Sequence, residues 1–266
     1  MKKLLALLLC TVVMLPAGCR PKEPLDVIRE RLSEDCSLRI SSNYMNLGIN
    51  GYSHEIAQEF GKDGTFHFID SRHHWDHTAD YDSAEKREYY YRYENKSLVC
   101  YLRINEEEIQ RTVLSKKEEE GIFASQKLFH GAEGLLPSYM KDFTDKGEHS
   151  ATGLREFTFK IPVEQEIQQE SLLSTYLQTA FSLYGREYDP DMKLYVSCLL
   201  EVEKDTLHPV RMTYDFSEIK PYVLSEGALS GEDDLETNLM TLTYEFNYEI
   251  PKTIPVPDTF KDTVAK

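Results

Sequence analysis

The chain has 266 residues, 41% hydrophobic and 29% charged, a balance that excludes both a multispan membrane protein and a disordered tail. Its formal net charge is −16. Such an acidic surface excludes electrostatic docking on nucleic acid or anionic lipid, since both need basic patches.

Lys2 and Lys3 precede an apolar run over residues 4–15, interrupted by Thr11, and Pro16-Ala17-Gly18-Cys19 closes it. A basic start, a short apolar stretch and a small-residue end form an export signal. The run is too short for a permanent span, which needs about 20 residues. With a cysteine straight after Ala17-Gly18, the segment resembles a bacterial lipoprotein signal. That resemblance implies cleavage before Cys19, lipidation of Cys19, and a protein held on the cell membrane facing outside the cytoplasm. The position three before the cysteine, usually a larger aliphatic, is Pro16 here. Residues 1–18 are therefore expected to be signal, 19–23 the lipidated cysteine and a tether of about 15 Å, and 24–266 a single domain. Three cysteines remain, Cys36, Cys100 and Cys198; Cys100 and Cys198 sit in apolar strand-like runs, and one disulfide is possible among the three.

Pro24 suits a first helical turn, with Leu25, Ile28 and Leu32 on one face. From Leu38 the period changes to two. Tyr52, His54, Ile56, Gln58 and Phe60 alternate up to a turn at residues 61–64, and a partner strand follows over 65–70. Residues 87–93 and 98–104 form a second pair around Glu94-Asn95-Lys96-Ser97, and 109–114 continue the meander. Residues 116–149 read as helical or irregular, with one helix around Ile122, Phe123, Leu128 and Phe129 and another over 135–143. A strand over 154–161 leads to Pro162, which opens the strongest helix; Val163, Ile167, Leu173, Leu177, Ala180, Phe181 and Tyr184 share its buried side, and Gly185 ends it. Strands over 192–202 and 208–216 flank a turn, and 218–236 read as a surface loop. In the last strand Met240, Leu242, Tyr244, Phe246, Tyr248 and Ile250 point one way, and Thr241, Thr243, Glu245, Asn247 and Glu249 the other. The fold class is α+β: a long antiparallel sheet whose apolar face is covered by helices.

The segment 192–258 resembles the C-terminal part of the LolA/LppX-like bacterial lipoproteins. The resemblance rests on Val202-Glu203-Lys204-Asp205-Thr206, His208-Pro209-Val210-Arg211-Met212, Tyr244-Glu245-Phe246-Asn247-Tyr248 and Ile254-Pro255-Val256-Pro257-Asp258. It implies a curved, half-open barrel with helices over an apolar hollow that takes lipid or acyl chains. The expected ligand face is then Met240, Leu242, Tyr244, Phe246 and Tyr248. Tyrosine suits such a lining, with its apolar body and polar tip. Tyr89-Tyr90-Tyr91-Arg92-Tyr93 puts rings on both faces of one strand, so one face is expected to be exposed or cavity-lining.

Chemistry is sparse. His73, His74, Asp76 and His77, with His67 nearby, match no standard metal spacing and read as a polar strand end. His54-Glu55 begins like a zinc-protease motif, but Gln58 stands where the second histidine belongs. No nucleophile elbow, phosphate loop or calcium loop is present. The acidic runs 118–120 and 232–234 read as solvated surface. The expectation is a non-enzymatic, membrane-anchored lipoprotein with no cofactor, metal or nucleic-acid partner, binding a lipid or other apolar ligand between sheet and helices. The alternative is an envelope protein-interaction or assembly module, with the tyrosine-rich strands or the acidic loop meeting a partner protein.

Overall fold

The computed structural model describes residues 22–46, 50–105, 107, 109–129, 135–183, 188–219, 222, 239–257 and 260. The signal segment, Cys19 and nearly all of the loop read over 218–236 lie outside the described residues. Among the described residues eleven strands form one antiparallel sheet: β1 (Ser37–Asn46), β2 (Asn50–Phe60), β3 (Phe66–Asp76), β4 (Tyr81–Glu94), β5 (Ser97–Ile104), β6 (Gln110–Val113), β7 (Lys141–Glu148), β8 (Arg155–Pro162), β9 (Tyr195–Val202), β10 (Pro209–Asp215) and β11 (Leu239–Asn247). Their order is β6-β5-β4-β3-β2-β1-β11-β10-β9-β8-β7, so two meanders join where β1 pairs with β11. The sheet is curved and does not close; β6 and β7 are its edges.

Directly paired residues share a face, so the register sorts the side chains. The inner face carries Phe157 and Phe159, Cys198 and Leu200, Met212 and Tyr214, Leu242 and Tyr244, then Leu38 and Ile40, in rows across β8 to β1. All are buried in one core. Helices α1 (Pro24–Leu32), α3 (Val163–Glu166) and α4 (Leu172–Leu183) cover it with Ile28, Leu32, Val163, Leu173, Leu177 and Phe181. In α1, Pro24 opens the helix, Asp26 lies in its first turn and Arg29 and Arg31 in its last, each sign matching the helix dipole.

The connection from β6 to β7 must pass from one sheet edge to the other. It carries α2 (Lys116–Phe129), and the Tyr93 hydroxyl donates to Glu119 at 2.5 Å near its start. Near its end, the Tyr214 hydroxyl donates to the Leu135 carbonyl at 3.1 Å. Both tyrosines belong to the inner face, so Glu119 and Leu135 lie on that side of the sheet.

The outer face is polar over most of the sheet but not at β4 and β5. There Tyr90, Val99 and Tyr101 form a second apolar cluster with Ile254, Val256 and Phe260 of the C-terminal segment. That segment is tied down by hydrogen bonds from Lys62 N to the Pro251 carbonyl (2.9 Å), from Thr253 to Asp63 (2.6 Å) and from Ile254 N to Thr65 (2.8 Å). Because β5 is covered on both sides, Leu98-Val99-Cys100-Tyr101 is buried without a break.

Three readings need correction. Residues 141–148 are the edge strand β7, not the end of a helix; exposed Lys, Asp and Gly hid a strand that buries little and contains register shifts. The helix read from Pro162 to Tyr184 is two helices, because Ser171 starts a new one: its hydroxyl accepts from Ser174 N at 2.9 Å. The last strand ends at Asn247, whose side chain accepts from Glu249 N and turns the chain away. Cys36, Cys100 and Cys198 are all free thiols.

Gly51 sits under the Trp75 ring, its partner across β2 and β3. A Cβ there would lie 2.1 Å from a ring carbon. Gly51→Ala is expected to cost about 1–3 kcal/mol, seen as a lower urea midpoint. An unchanged midpoint would mean the indole moves aside freely.

Candidate functional site on the inner face

Beyond Ile40 and Ile56 the inner face changes character. Phe60 pairs with Phe66 and Phe66 with Tyr91; Phe68 pairs with Tyr89. These rings form a continuous lane, with centroids 5.0 Å apart for Phe60–Phe66, 5.4 Å for Phe66–Tyr91, 5.7 Å for Phe68–Tyr89 and 6.2 Å for Tyr89–Tyr91. Phe66 is buried; the other four are half-buried. Burial pushes the Tyr91 hydroxyl well above the usual phenol range, so this ring is neutral at any physiological pH.

The lane ends in polar groups. His54 Nε2 lies 2.9 Å from Asp70 Oδ1, and the Arg72 guanidinium grips both oxygens of Asp70 at 3.1 and 2.9 Å. From helix α4, the Tyr176 hydroxyl meets His54 Nδ1 at 3.4 Å. Ser42, opposite His54 in the register, is buried with its hydroxyl beside the Tyr176 phenol. Burial raises the phenols of Tyr176 and Tyr52, so both stay neutral. Aspartate balances arginine here, leaving a polar end of hydroxyls and a histidine ring next to a wall of aromatic rings.

The expected ligand face lies elsewhere. Leu242, Tyr244 and Phe246 do point inward, but they are packed core: Leu242 is 0% exposed, and Tyr244 meets Tyr214 edge-on at 5.7 Å. Tyr248 follows the strand and is half-buried against His208 at 4.8 Å. The side chain of Met240 lies outside the described residues. Of the tyrosine run, Tyr89, Tyr91 and Tyr93 face inward and Tyr90 is buried outside against Phe260. The lane residues follow from alternation at 66/68 and 89/91, but only the register aligns them.

The histidines do not converge. His67 and His73 point outward, His54 and His74 inward. Among the described residues no three His, Cys, Asp or Glu side chains are grouped to hold a metal ion. No helix among the described residues is long and apolar enough to cross a membrane.

No family model and no curated protein matches the chain. Among solved structures it is similar to LprF from Mycobacterium bovis, with a TM-score of 0.42 and 10% identity over 88% of this chain and 94% of that one. It is also similar to the Mycobacterium tuberculosis lipoprotein LppX, with a TM-score of 0.39 and 9% identity over 88% of this chain and 96% of that one. Structural neighbours thus include a lipoprotein named in the C-terminal resemblance. At these scores the fold and the site rest on the register and contacts above, not on either likeness.

Proposed function

We propose that this is a lipoprotein, anchored through Cys19 on the outside of the cytoplasmic membrane, that binds an amphipathic ligand along its inner face and does no chemistry on it. The observation that carries this reading is the half-buried lane of Phe60, Phe68, Tyr89 and Tyr91 beside an already complete core. Stabilisation grows with the apolar area removed from water, and an apolar chain laid on these half-buried rings would complete their cover. The polar end at His54, Tyr176 and Ser42 would meet the ligand's head, and the packed face of β11 would stand as the wall behind.

The test uses the processed protein in phosphatidylcholine nanodiscs with a diazirine-bearing palmitoyl probe. Cross-links should fall on β2 to β4. Phe68→Asp with Tyr89→Asp should reduce them at least tenfold, since each ring contributes about 1.5–3 kcal/mol when covered. Labelling confined to the N-terminal segment, or unchanged by the double variant, would sink the proposal. The anchor is tested separately: metabolic palmitate label is expected on the wild-type chain and absent from Cys19→Ala.

A further inference from the structure

The opposite side of the sheet carries a second concavity. A groove of about 560 Å³ lies on the outer face of β7 to β10, within the usual range of small-molecule sites. Alternation fixes its floor: Phe159, Cys198 and Tyr214 turn inward to the core, so Thr158, Ser197 and Thr213 turn outward, with Leu199 among them. Asp142 and Lys146 of β7 line one side and Asp215 of β10 the other, with Lys160 of β8 next to β7.

The chemistry of this lining is specific. Two lysines and two aspartates balance, and Lys160 is further neutralised by Glu218 at 2.6 Å. With Glu218 counted, the acids outnumber the lysines by one, so an anion gains no favourable field here. The floor offers hydroxyls, which both donate and accept, and the walls add strong donors and strong acceptors. The existing side-chain bonds across the floor are long: 3.5 Å between Thr213 and Thr243, and 3.4 Å from Ser197 to Glu218. Leu199 supplies one apolar patch. Asp142 is held at φ 58° by the irregular pairing of β7, which sets its carboxylate on the rim.

We propose that this groove binds a neutral carbohydrate, whose hydroxyls bond Thr158, Thr213, Asp142 and Lys146 and whose C–H face rests on Leu199. A sugar hydroxyl donates to a carboxylate while accepting from an ammonium, which is the pairing these walls present. The groove is independent of the aromatic lane, since the two lie on opposite faces and different strands.

The experiment is saturation-transfer NMR of the processed protein in phosphatidylcholine nanodiscs with maltotriose, cellotriose and chitotriose as probes. At least one trisaccharide should receive signal. Thr158→Val and Asp142→Gly should each weaken it about fivefold, the loss of one hydrogen bond. Both variants should keep the wild-type unfolding midpoint, because valine suits a strand and glycine accepts the positive φ. Silence from all three sugars, a signal unchanged in both variants, or displacement of the sugar by orthophosphate would each overturn the proposal.

Discussion

Phe157→Ala is expected to destabilise the protein by about 3–5 kcal/mol, a large share of the 5–15 kcal/mol that holds a typical domain together. Phe157 is 0% exposed, pairs with the equally buried Leu200, and stacks on Phe143 at 5.1 Å. Its neighbours come from β7, β9 and the helices, so they cannot all collapse into the space it leaves. Urea unfolding measures the loss, and Phe157→Leu should recover most of it by restoring volume. The result also bears on function. A cost under about 1.5 kcal/mol would mean that this half of the inner face tolerates empty space, and the ligand site would then move from the aromatic lane to the β8–β11 core.

Much of the architecture was legible because most strands have one wet face. Leu242, Tyr244 and Phe246 alternate with Thr243 and Glu245, and such a strand can be read without a partner. The hairpins were legible from their turns: Asn95 and Lys96 both take positive φ, the two-residue geometry that matches strand twist. Edge strand β7 was not legible, because an edge buries few side chains and so leaves no period. Nor could the pairing of β1 with β11 be read, since those strands are almost 200 residues apart and no local signal links them.

The candidate site was half legible. Aromatic residues at 60, 66, 68, 89 and 91 were visible, and the tyrosine run was expected to show one face. What sequence alone could not tell was which apolar face the helices fill. The last strand was the purest amphipathic pattern, yet its Leu242, Tyr244 and Phe246 are buried in the core that α1, α3 and α4 help to fill. The lane is less regular, broken by Asp70 and Arg72 on the same face, and that irregularity marks where packing is incomplete and a head group could be met. The outer groove left no trace in the periodicity, since its threonines and serine look like any solvated strand face.

Glu88→Ala is expected to cost about 3–5 kcal/mol, although it removes a charged group and little apolar surface. Glu88 is buried on the outer face, where Arg103 holds one oxygen while the other accepts from Tyr90 at 3.1 Å and lies 3.2 Å from His67 Nε2. The His67 ring stacks on Tyr90 at 4.1 Å, and Phe260 closes over the group with Arg103 4.9 Å above its ring. Removing the carboxylate leaves the guanidinium of Arg103 uncompensated beneath that lid. Glu59, the other partner of His67, is 58% exposed, and Glu59→Ala should cost under about 1 kcal/mol. The same network sets an acid limit. Burial alone would raise the Glu88 carboxyl, but Arg103 and Lys86 outweigh it and hold it below the usual value of 4.5. Burial likewise opposes ionisation of Glu94, yet hydrogen bonds from Arg111, Tyr101 and Arg92 hold it at about 2. A carboxylate lowered in the folded state contributes stability that is complete above its unfolded pKa and is lost as pH falls through the folded one. The urea midpoint should therefore fall steadily from about pH 4.5 towards pH 2. In Glu88→Gln that fall should be shallower, starting from a lower midpoint at neutral pH. An identical slope in the variant would show that the acid limit comes from Glu94 and the exposed carboxylates, and not from the network under Phe260.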